Sequence, residues 1–220
     1  MTTYKISELN KVKRGLKRAV YDVEQINHIL DAGFVGYVSY NYNDKAICLP
    51  MAYGRIENKI YLHGSQKNRM LLALLEAKEA SMTIMHLDGL ILARSGFHHS
   101  VNYRSATLFT SVVKIENHKE KEAALKCVVD HMLPDRWEKL RPMNDKEFNR
   151  TLVIEMEIQT ASAKIRDVGV IDEKSDIDLP IWAGVVSLKQ VAEFPISDSL
   201  LPNHIDIPNH VMAYYSKNKV

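Results

Sequence analysis

A series of strand-like segments joined by very short turns constrains the fold of this chain more than any other sequence feature. The first three are rich in β-branched and aromatic residues, which favour strands, and they occupy residues 34–41 (FVGYVSYN), 46–56 (AICLPMAYGRI) and 59–63 (KIYLH). The pairs Asn43-Asp44 and Glu57-Asn58 form the polar turns between them. Further strands are predicted at residues 81–87, 105–116 and 153–158. Segments connected in this way predict a mainly β protein, with an antiparallel sheet or barrel decorated by helices.

Pro50 lies in the middle of the second segment. Proline has no backbone N–H and therefore cannot donate a hydrogen bond to a neighbouring strand. Its position predicts that this strand lies at a sheet edge, contains a bulge or faces a ligand.

Helices are predicted where an Asp or Asn is followed three residues later by Gln or Glu, the spacing of a capping box. The three pairs are Asp22 with Gln25, Asn117 with Glu120, and Asn144 with Glu147. A further short helix should follow the polar turn at residues 64–69. Residues 166–220 contain four of the seven prolines and few periodic segments. We expect a barrel domain at residues 1–165 and an extension at 166–220 that packs on the barrel or on a partner subunit, forming a single domain overall.

Composition disfavours several classes of function. The net charge is only +2, with no basic block, which gives no support to a nucleic-acid partner. No apolar run approaches the roughly 20 residues that span a bilayer. Cys48 and Cys127 are far apart and fit neither a disulfide framework nor a zinc site. A reducing cytoplasm is the simplest expected location.

One candidate anion site lies where the third strand ends, in the segment IYLHGSQKNRMLLAL. The strand brings His63 to a Gly64-Ser65 turn, and Lys67 and Arg69 flank the start of the next helix. Helix starts and cationic side chains both favour anions, so a phosphate would fit here. A solvated helix start carrying two cations is the alternative.

A second candidate is the segment HHSVNYRSATLF, residues 98–109. On a strand Tyr103 and Ser105 share one face, while Arg104 points to the other. We expect Ser105 to lie beside the strand that ends at His63 and to reach the same anion; a polar strand entrance is the alternative. His98 and His99 are adjacent, which disfavours a shared metal ion, and no metal site is predicted.

Taken in order, these segments resemble the pyridoxamine 5'-phosphate oxidase-related, FMN-binding split-barrel proteins, and within them the branch with the Nim-type nitroimidazole-resistance proteins. The resemblance rests on residues 46–70, 98–109, 140–158 with the following Ser162-Ala163-Lys164, and 179–188 (LPIWAGVVSL). It departs from the usual family pattern at Asn68, Thr110 and Ala163. The residues that clamp pyridoxal phosphate in the oxidase itself are not recognisable.

The resemblance implies a six-stranded antiparallel split β-barrel that forms a homodimer, with FMN bound between the subunits. It assigns a set of residues to the cofactor: Pro50, Met51 and Ala52 beside the flavin ring; His63, Gly64, Ser65, Lys67 and Arg69 around the phosphate and ribityl chain; Tyr103 and Ser105 on a neighbouring strand; and Trp182 covering the flavin from the extension.

The implied activity is that of an FMN-dependent oxidoreductase. A reduced nicotinamide would supply electrons to a small acceptor such as a nitroaromatic or a quinone, and His63 would donate a proton or orient the substrate. Two alternatives stay open at this point. One is a flavin-binding or storage protein without turnover, and the other is the same fold with haem or a deazaflavin.

Overall fold

The computed structural model describes residues 2–219, which form nine strands and five α-helices. In chain order these are β1 (Ala19–Val20), α1 (Val23–Asp31), β2 (Val35–Tyr42), β3 (Lys45–Ala52), β4 (Gly54–Ile56), β5 (Lys59–Ser65), α2 (Arg69–Ala77), β6 (Glu79–Leu92), β7 (Ser100–Lys114), α3 (His118–Met132), α4 (Asp145–Arg150), β8 (Thr151–Arg166), β9 (Gly184–Ser187) and α5 (Asn209–Asn218). Three short 3-10 helices lie at Leu16–Arg18, Trp137–Lys139 and Lys174–Asp176.

The strands form one antiparallel sheet in the order β3-β2-β6-β7-β8-β5-β4, with β1 paired to β8 and β9 paired to β6. Six strands have seven residues or more, and β1, β4 and β9 are short additions. The predicted mainly β, antiparallel split-barrel class is confirmed. Among the described residues the sheet does not close, because its path ends at β3 and β4.

The central strands are longer than the sequence predicted. β6 continues past residue 87, its predicted end, to Leu92, and β7 begins at Ser100 rather than at Ser105. The pairing of β6 with β7 shifts register between Leu87 and Gly89. A bulge absorbs such a shift and lets both strands continue beyond it.

All three predicted helix starts are confirmed. The Asp22 carboxylate accepts a hydrogen bond from the Gln25 amide at 2.9 Å. Asn117 caps the amides of Lys119 and Glu120 in the same way. Asn144 and Glu147 form a complete capping box at α4.

The main core lies on the inner face of the sheet, where α1 and α2 cover it. Side chains with at most 1% exposure come from both helices and from four central strands; among them are Ile26, Leu74, Val38, Ile84, Leu108 and Ile154. A second cluster joins α3 to β5 and β8 through Val128, Tyr61 and Val153. α3 thereby packs against β5, the strand that leads into the turn after His63.

The outer face of the central strands is more open and rich in hydroxyl groups. Its middle row runs from Tyr37 through Thr83 and Thr107 to Ser162, four residues that pair in register across β2, β6, β7 and β8. The hydroxyls of Thr83 and Thr107 lie 3.2 Å apart. Tyr37 keeps 49% of its surface exposed.

Residues 166–220 run along the sheet and contribute to it. Asp172 accepts hydrogen bonds from the Arg94 amide at 3.0 Å and the Arg94 guanidinium at 2.8 Å. β9 then pairs with the distal half of β6, from Gly89↔Ser187 to Leu92↔Gly184. No helix within residues 2–219 has the length and apolar character needed to cross a bilayer.

Candidate cofactor site

Pro50 lies on an edge strand, as its missing N–H predicts. β3 ends the sheet path, and Pro50 pairs with Tyr37 of β2 on the outer face. Side chains alternate along the strand, so Met51 points the other way and packs against the core. Pro50, Met51 and Ala52 can therefore present a common backbone surface to a flat ligand, but only Pro50 and Ala52 can present side chains on the same side.

The turn from β5 into α2 brings five of the predicted residues together, namely His63, Gly64, Ser65, Lys67 and Arg69. Gly64 lies in a tightly packed position. A Cβ at that position would lie 3.0 Å from the side-chain nitrogen Nδ2 of Asn68 and 3.1 Å from a Leu71 methyl carbon. Asn68 caps the helix by accepting a hydrogen bond from the Leu71 amide at 3.1 Å. The loop is therefore fixed by its own packing.

Several backbone donors of this turn already have partners. The amides of Gln66, Lys67 and Asn68 donate to Arg150, to the Ser65 hydroxyl and to the Ser65 carbonyl oxygen, respectively. A phosphate at this turn would therefore depend mainly on the side chains of Lys67 and Arg69. Both side chains are exposed.

Arg69 is held against two tyrosines that the sequence analysis did not assign to the site. Its guanidinium lies 4.5 Å from the centre of the Tyr42 ring and donates to the Tyr40 hydroxyl at 3.4 Å. β2 carries both tyrosines and pairs directly with β3. The sequence signal for these two aromatic groups is the spacing Tyr40-Asn41-Tyr42 at the end of β2. The start of α2 meets β2 at this end.

His63 carries a buried polar atom without a partner. Its Nδ1 forms no hydrogen bond with any described residue. Burial lowers the pKa of the imidazole below its ordinary value and so favours the neutral ring. Buried polar groups nearly always have a hydrogen-bond partner. The open nitrogen fits a polar atom of a bound cofactor, and a neutral ring orients a ligand better than it protonates one.

The expectation that Ser105 lies beside the strand ending at His63 is wrong. β8 separates β7 from β5. Ser105 pairs with Lys164 of β8, whereas His63 pairs with Val153 at the other end of that strand. The intervening residues correspond to about 36 Å of strand. The sequence pattern could not reveal this separation because it contains no information on the order of strands in the sheet.

The predicted alternation on β7 matches the geometry. Arg104 pairs with Asp88 through two hydrogen bonds of 3.0 and 2.8 Å. Ser105 and Tyr103 lie on the other face and are half-buried, and the Ser105 hydroxyl is 3.5 Å from the Lys164 carbonyl oxygen. Arg104 thus has a local partner and needs no ligand.

Trp182 lies in the extension, and His98 and His99 lie in a loop beside it. Trp182 is 68% exposed and lies over Gly184, where a Cβ would come within 2.7 Å of the indole ring. His98 is 3.3 Å from Glu173 of the extension, and the His99 ring nitrogen donates to the Ser95 carbonyl oxygen at 2.8 Å. The indole surface is available to cover a ligand, whereas the histidines fasten the loop.

A cavity of about 480 Å³ opens between β2, α2 and the adjoining ends of β6 and β7. Its lining includes Leu9, Tyr40, Leu74, Phe109, Thr110 and Thr160. None of the predicted cofactor residues lines it. The residues come from distant parts of the chain, which is why no local motif pointed to this cavity.

Comparison with known proteins identifies the family. The model of the family described as pyridoxamine 5'-phosphate oxidase matches residues 22–165. The chain belongs to this family. Its fold is that of the flavin-binding proteins related to pyridoxamine 5'-phosphate oxidase, and the predicted resemblance is confirmed. Among curated proteins no sequence matches significantly.

Two solved structures are similar over nearly the whole chain. The flavocytochrome Anf3 from Azotobacter vinelandii is 31% identical, with a TM-score of 0.89 over 94% of this chain and 97% of that one. The FAD and heme binding protein from Mycobacterium smegmatis is 28% identical, with a TM-score of 0.85 over 90% and 97%.

A structure named for 5-nitroimidazole antibiotic resistance, from Bacteroides thetaiotaomicron, shares the fold at 19% identity. Its TM-score is 0.58, and the match covers 67% of this chain and 86% of that chain. The matches to the first two structures are long enough to include most of residues 166–220. The shorter match to this third structure need not include them.

Proposed function

We propose that this protein is a flavin-dependent oxidoreductase of the flavocytochrome type, carrying a flavin and a haem. The observation that carries the proposal is the similarity to two flavin- and haem-related structures over at least 90% of the chain. Matches of this length reach well into residues 166–220 and are not confined to the barrel.

When bound, the flavin supplies hydride and electron transfer, here between a reduced nicotinamide and a small acceptor such as a nitroaromatic or a quinone. The chain supplies binding and orientation. The backbone of Pro50–Ala52 forms a surface for the ring, and Lys67 and Arg69 supply positive charge for phosphate. The open Nδ1 of His63 can form a hydrogen bond with a polar atom of the cofactor.

FMN is the flavin that the family resemblance implies, and FAD is named for the Mycobacterium smegmatis structure. Denaturing the purified protein and separating the released flavin by chromatography distinguishes the two. Recovery of neither flavin, from protein purified in their presence, contradicts the flavin part of the proposal.

Haem is the second cofactor of the proposal. A haem iron would be held by a histidine nitrogen, a cysteine or methionine sulfur, or a tyrosine oxygen. His63 Nδ1 and His210 Nε2 are buried and have no hydrogen-bond partner among the described residues. Because His63 Nδ1 is assigned to the flavin, the imidazole of His210 is the candidate histidine ligand that would hold the haem.

The absorption spectrum tests both cofactors at once. After reconstitution with haemin and FAD, we expect a Soret band together with flavin absorbance in the blue. Flavin absorbance without a Soret band reduces the proposal to a plain flavoprotein. Anaerobic addition of NADH or NADPH should then bleach the flavin; a flavin that stays oxidised with both donors favours a storage protein without turnover.

A homodimer with the cofactor between subunits is part of the proposal. It is supported by the open outer face, where Tyr37, Met85 and Leu87 keep 41% to 53% of their surface exposed. Light scattering coupled to size-exclusion chromatography should give twice the 25.1 kDa mass of the chain. A cytoplasmic location is also proposed, since both cysteines are free thiols.

A further inference from the structure

Arg166 is a buried cation without a counter-ion. Only 6% of its surface is exposed. One guanidinium N–H donates to the Val101 carbonyl oxygen at 3.1 Å, and the buried Nε–H has no partner. Within residues 2–219, no carboxylate lies within 4.0 Å of its charged nitrogens. Buried charged groups are normally paired, because moving a charge out of water without a partner costs free energy.

Two more cations lie beside it. Lys164 is two residues earlier on β8 and therefore shares a face with Arg166. Arg18 belongs to the 3-10 helix that packs against the same strand. Gly15 precedes this helix, and a Cβ there would lie 3.7 Å from the Arg18 side chain and 3.8 Å from Lys164 Nζ. Both side chains thus approach one spot, and neither pairs with a carboxylate of the described residues.

Neutral hydrogen-bonding groups border the three cations. Tyr103 pairs in register with Arg166, and Ser105 pairs with Lys164. By strand alternation, all four side chains are on the outer face. Like charges repel, so three cations in one place destabilise the chain unless an anion lies between them. Burial and the charge of Arg18 both lower the pKa of Arg166, as this repulsion requires.

We propose that Arg166, Lys164 and Arg18 form an anion site, here called the β8 cation site, that binds a phosphate or carboxylate group of a cofactor. The source of the group rests on the proposed function: it is either a phosphate of the flavin or a propionate of the haem. A planar guanidinium with an open Nε–H suits either oxyanion. Tyr103 and Ser105 act as additional hydrogen-bond donors.

The β8 cation site is distinct from the turn at Lys67 and Arg69. Along the sheet, Lys164 lies opposite Ser105, at the far end of β8 from His63. One chain therefore offers two separated positive regions. A cofactor with two anionic ends, or two different cofactors, can use both, either within one chain or across a pair of chains.

Binding measurements with charge-removing variants test the site. The variants are Arg166→Gln, Lys164→Gln and Arg18→Gln, and the control is Lys146→Gln, an exposed lysine on α4. Each folded protein is titrated by calorimetry with FMN, FAD, haemin and inorganic pyrophosphate. Lys164 and Arg18 are half-buried, so their variants remain informative if Arg166→Gln does not fold.

We expect the affinity for at least one ligand to fall by about tenfold or more in the site variants and to stay unchanged in Lys146→Gln. A loss confined to FAD identifies the second phosphate of the dinucleotide, whereas a loss shared equally with FMN identifies the phosphate common to both. A loss confined to haemin identifies a propionate. Weaker pyrophosphate binding supports the site without any cofactor.

Equal affinities for all four ligands in wild type and every folded variant overturn the β8 cation site while leaving the proposed function intact. If the wild type binds none of FMN, FAD and haemin, the proposed function fails. The difference in pyrophosphate affinity between wild type and the site variants then decides whether the β8 cation site exists. Absence of binding by all four ligands overturns both.

Discussion

The hydroxyl of Tyr53 donates a hydrogen bond to the Gly33 carbonyl oxygen at 2.9 Å. The Leu30 carbonyl oxygen is also within reach of the same hydroxyl, and His131 donates to Gly33 from the other side at 2.7 Å. Tyr53 follows directly after Pro50–Ala52 on the chain. The end of α1, the end of α3 and the proposed flavin strand therefore share one buried anchor.

Replacing Tyr53 with Phe should lower the free energy of unfolding by about 1–3 kcal/mol, because two buried carbonyl oxygens lose a donor. Urea unfolding followed by circular dichroism measures the change. Tyr37→Phe is the matched control, since Tyr37 is half-exposed and its hydroxyl has no partner among the described residues. Equal losses in both variants would contradict the anchor.

Gly54→Ala should destabilise the protein by about 1–3 kcal/mol through overpacking. The added Cβ would lie 2.6 Å from Cys127 Sγ and 2.6 Å from the Val128 backbone nitrogen, so α3 would have to move. Gly96→Ala is the control, because nothing lies within 4 Å of a Cβ there. Thermal melts of the two variants should differ clearly; indistinguishable melting temperatures would show that α3 yields easily.

His63 should make stability depend on pH in the mildly acidic range. Burial lowers the pKa of the folded imidazole below the value of about 6.5 in the unfolded chain. The unfolded state therefore binds more protons, and stability falls as the pH drops from about 6.5 towards the folded pKa. His63→Asn should flatten this slope in unfolding experiments between pH 5 and pH 7. A slope identical to that of the wild type would exclude His63 as its source.

Asp172 should fasten the extension in a pH-dependent manner. Hydrogen bonding from Arg94 lowers the pKa of this carboxyl group below its ordinary value. The stabilisation by the ionised carboxylate is therefore complete above about pH 4, the pKa of aspartate in the unfolded chain. It is lost as the pH falls through the lower pKa of Asp172 in the folded protein. Asp172→Asn should accelerate proteolysis within residues 166–183 at pH 7, whereas the exposed Asp178→Asn should not. Equal cleavage of both variants would argue against this attachment.

Trp182 should report flavin binding by fluorescence. The two tryptophans differ, since Trp182 is 68% exposed and Trp137 packs against the α3 cluster. If Trp182 covers the flavin, quenching on FAD addition should persist in Trp137→Phe and largely disappear in Trp182→Phe. Quenching carried by Trp137 instead would place the flavin elsewhere.

Local chemistry explains what the sequence predicted well. The caps at Asp22, Asn117 and Asn144 and the edge position of Pro50 depend on a few adjacent residues, and the structure confirms them.

The features that the sequence did not predict correctly depend on contacts between distant parts of the chain. The order of β5, β8 and β7 depends on long-range pairing, so Ser105 was wrongly expected beside His63. The convergence of Arg18 with Lys164 joins two segments that no local periodicity connects. The sequence alone therefore indicated the helix caps and the edge strand, but not which distant residues lie together.

The pairing of β9 with β6 also bears on solubility. β2 pairs with β6 only near its first half, at Ser81–Thr83, and β9 occupies the distal half from Gly89 to Leu92. Without β9, this apolar stretch would present free N–H and C=O groups to other molecules, the arrangement that leads to edge-to-edge aggregation. The pairing of β9 with β6 thus blocks edge-to-edge association along this stretch.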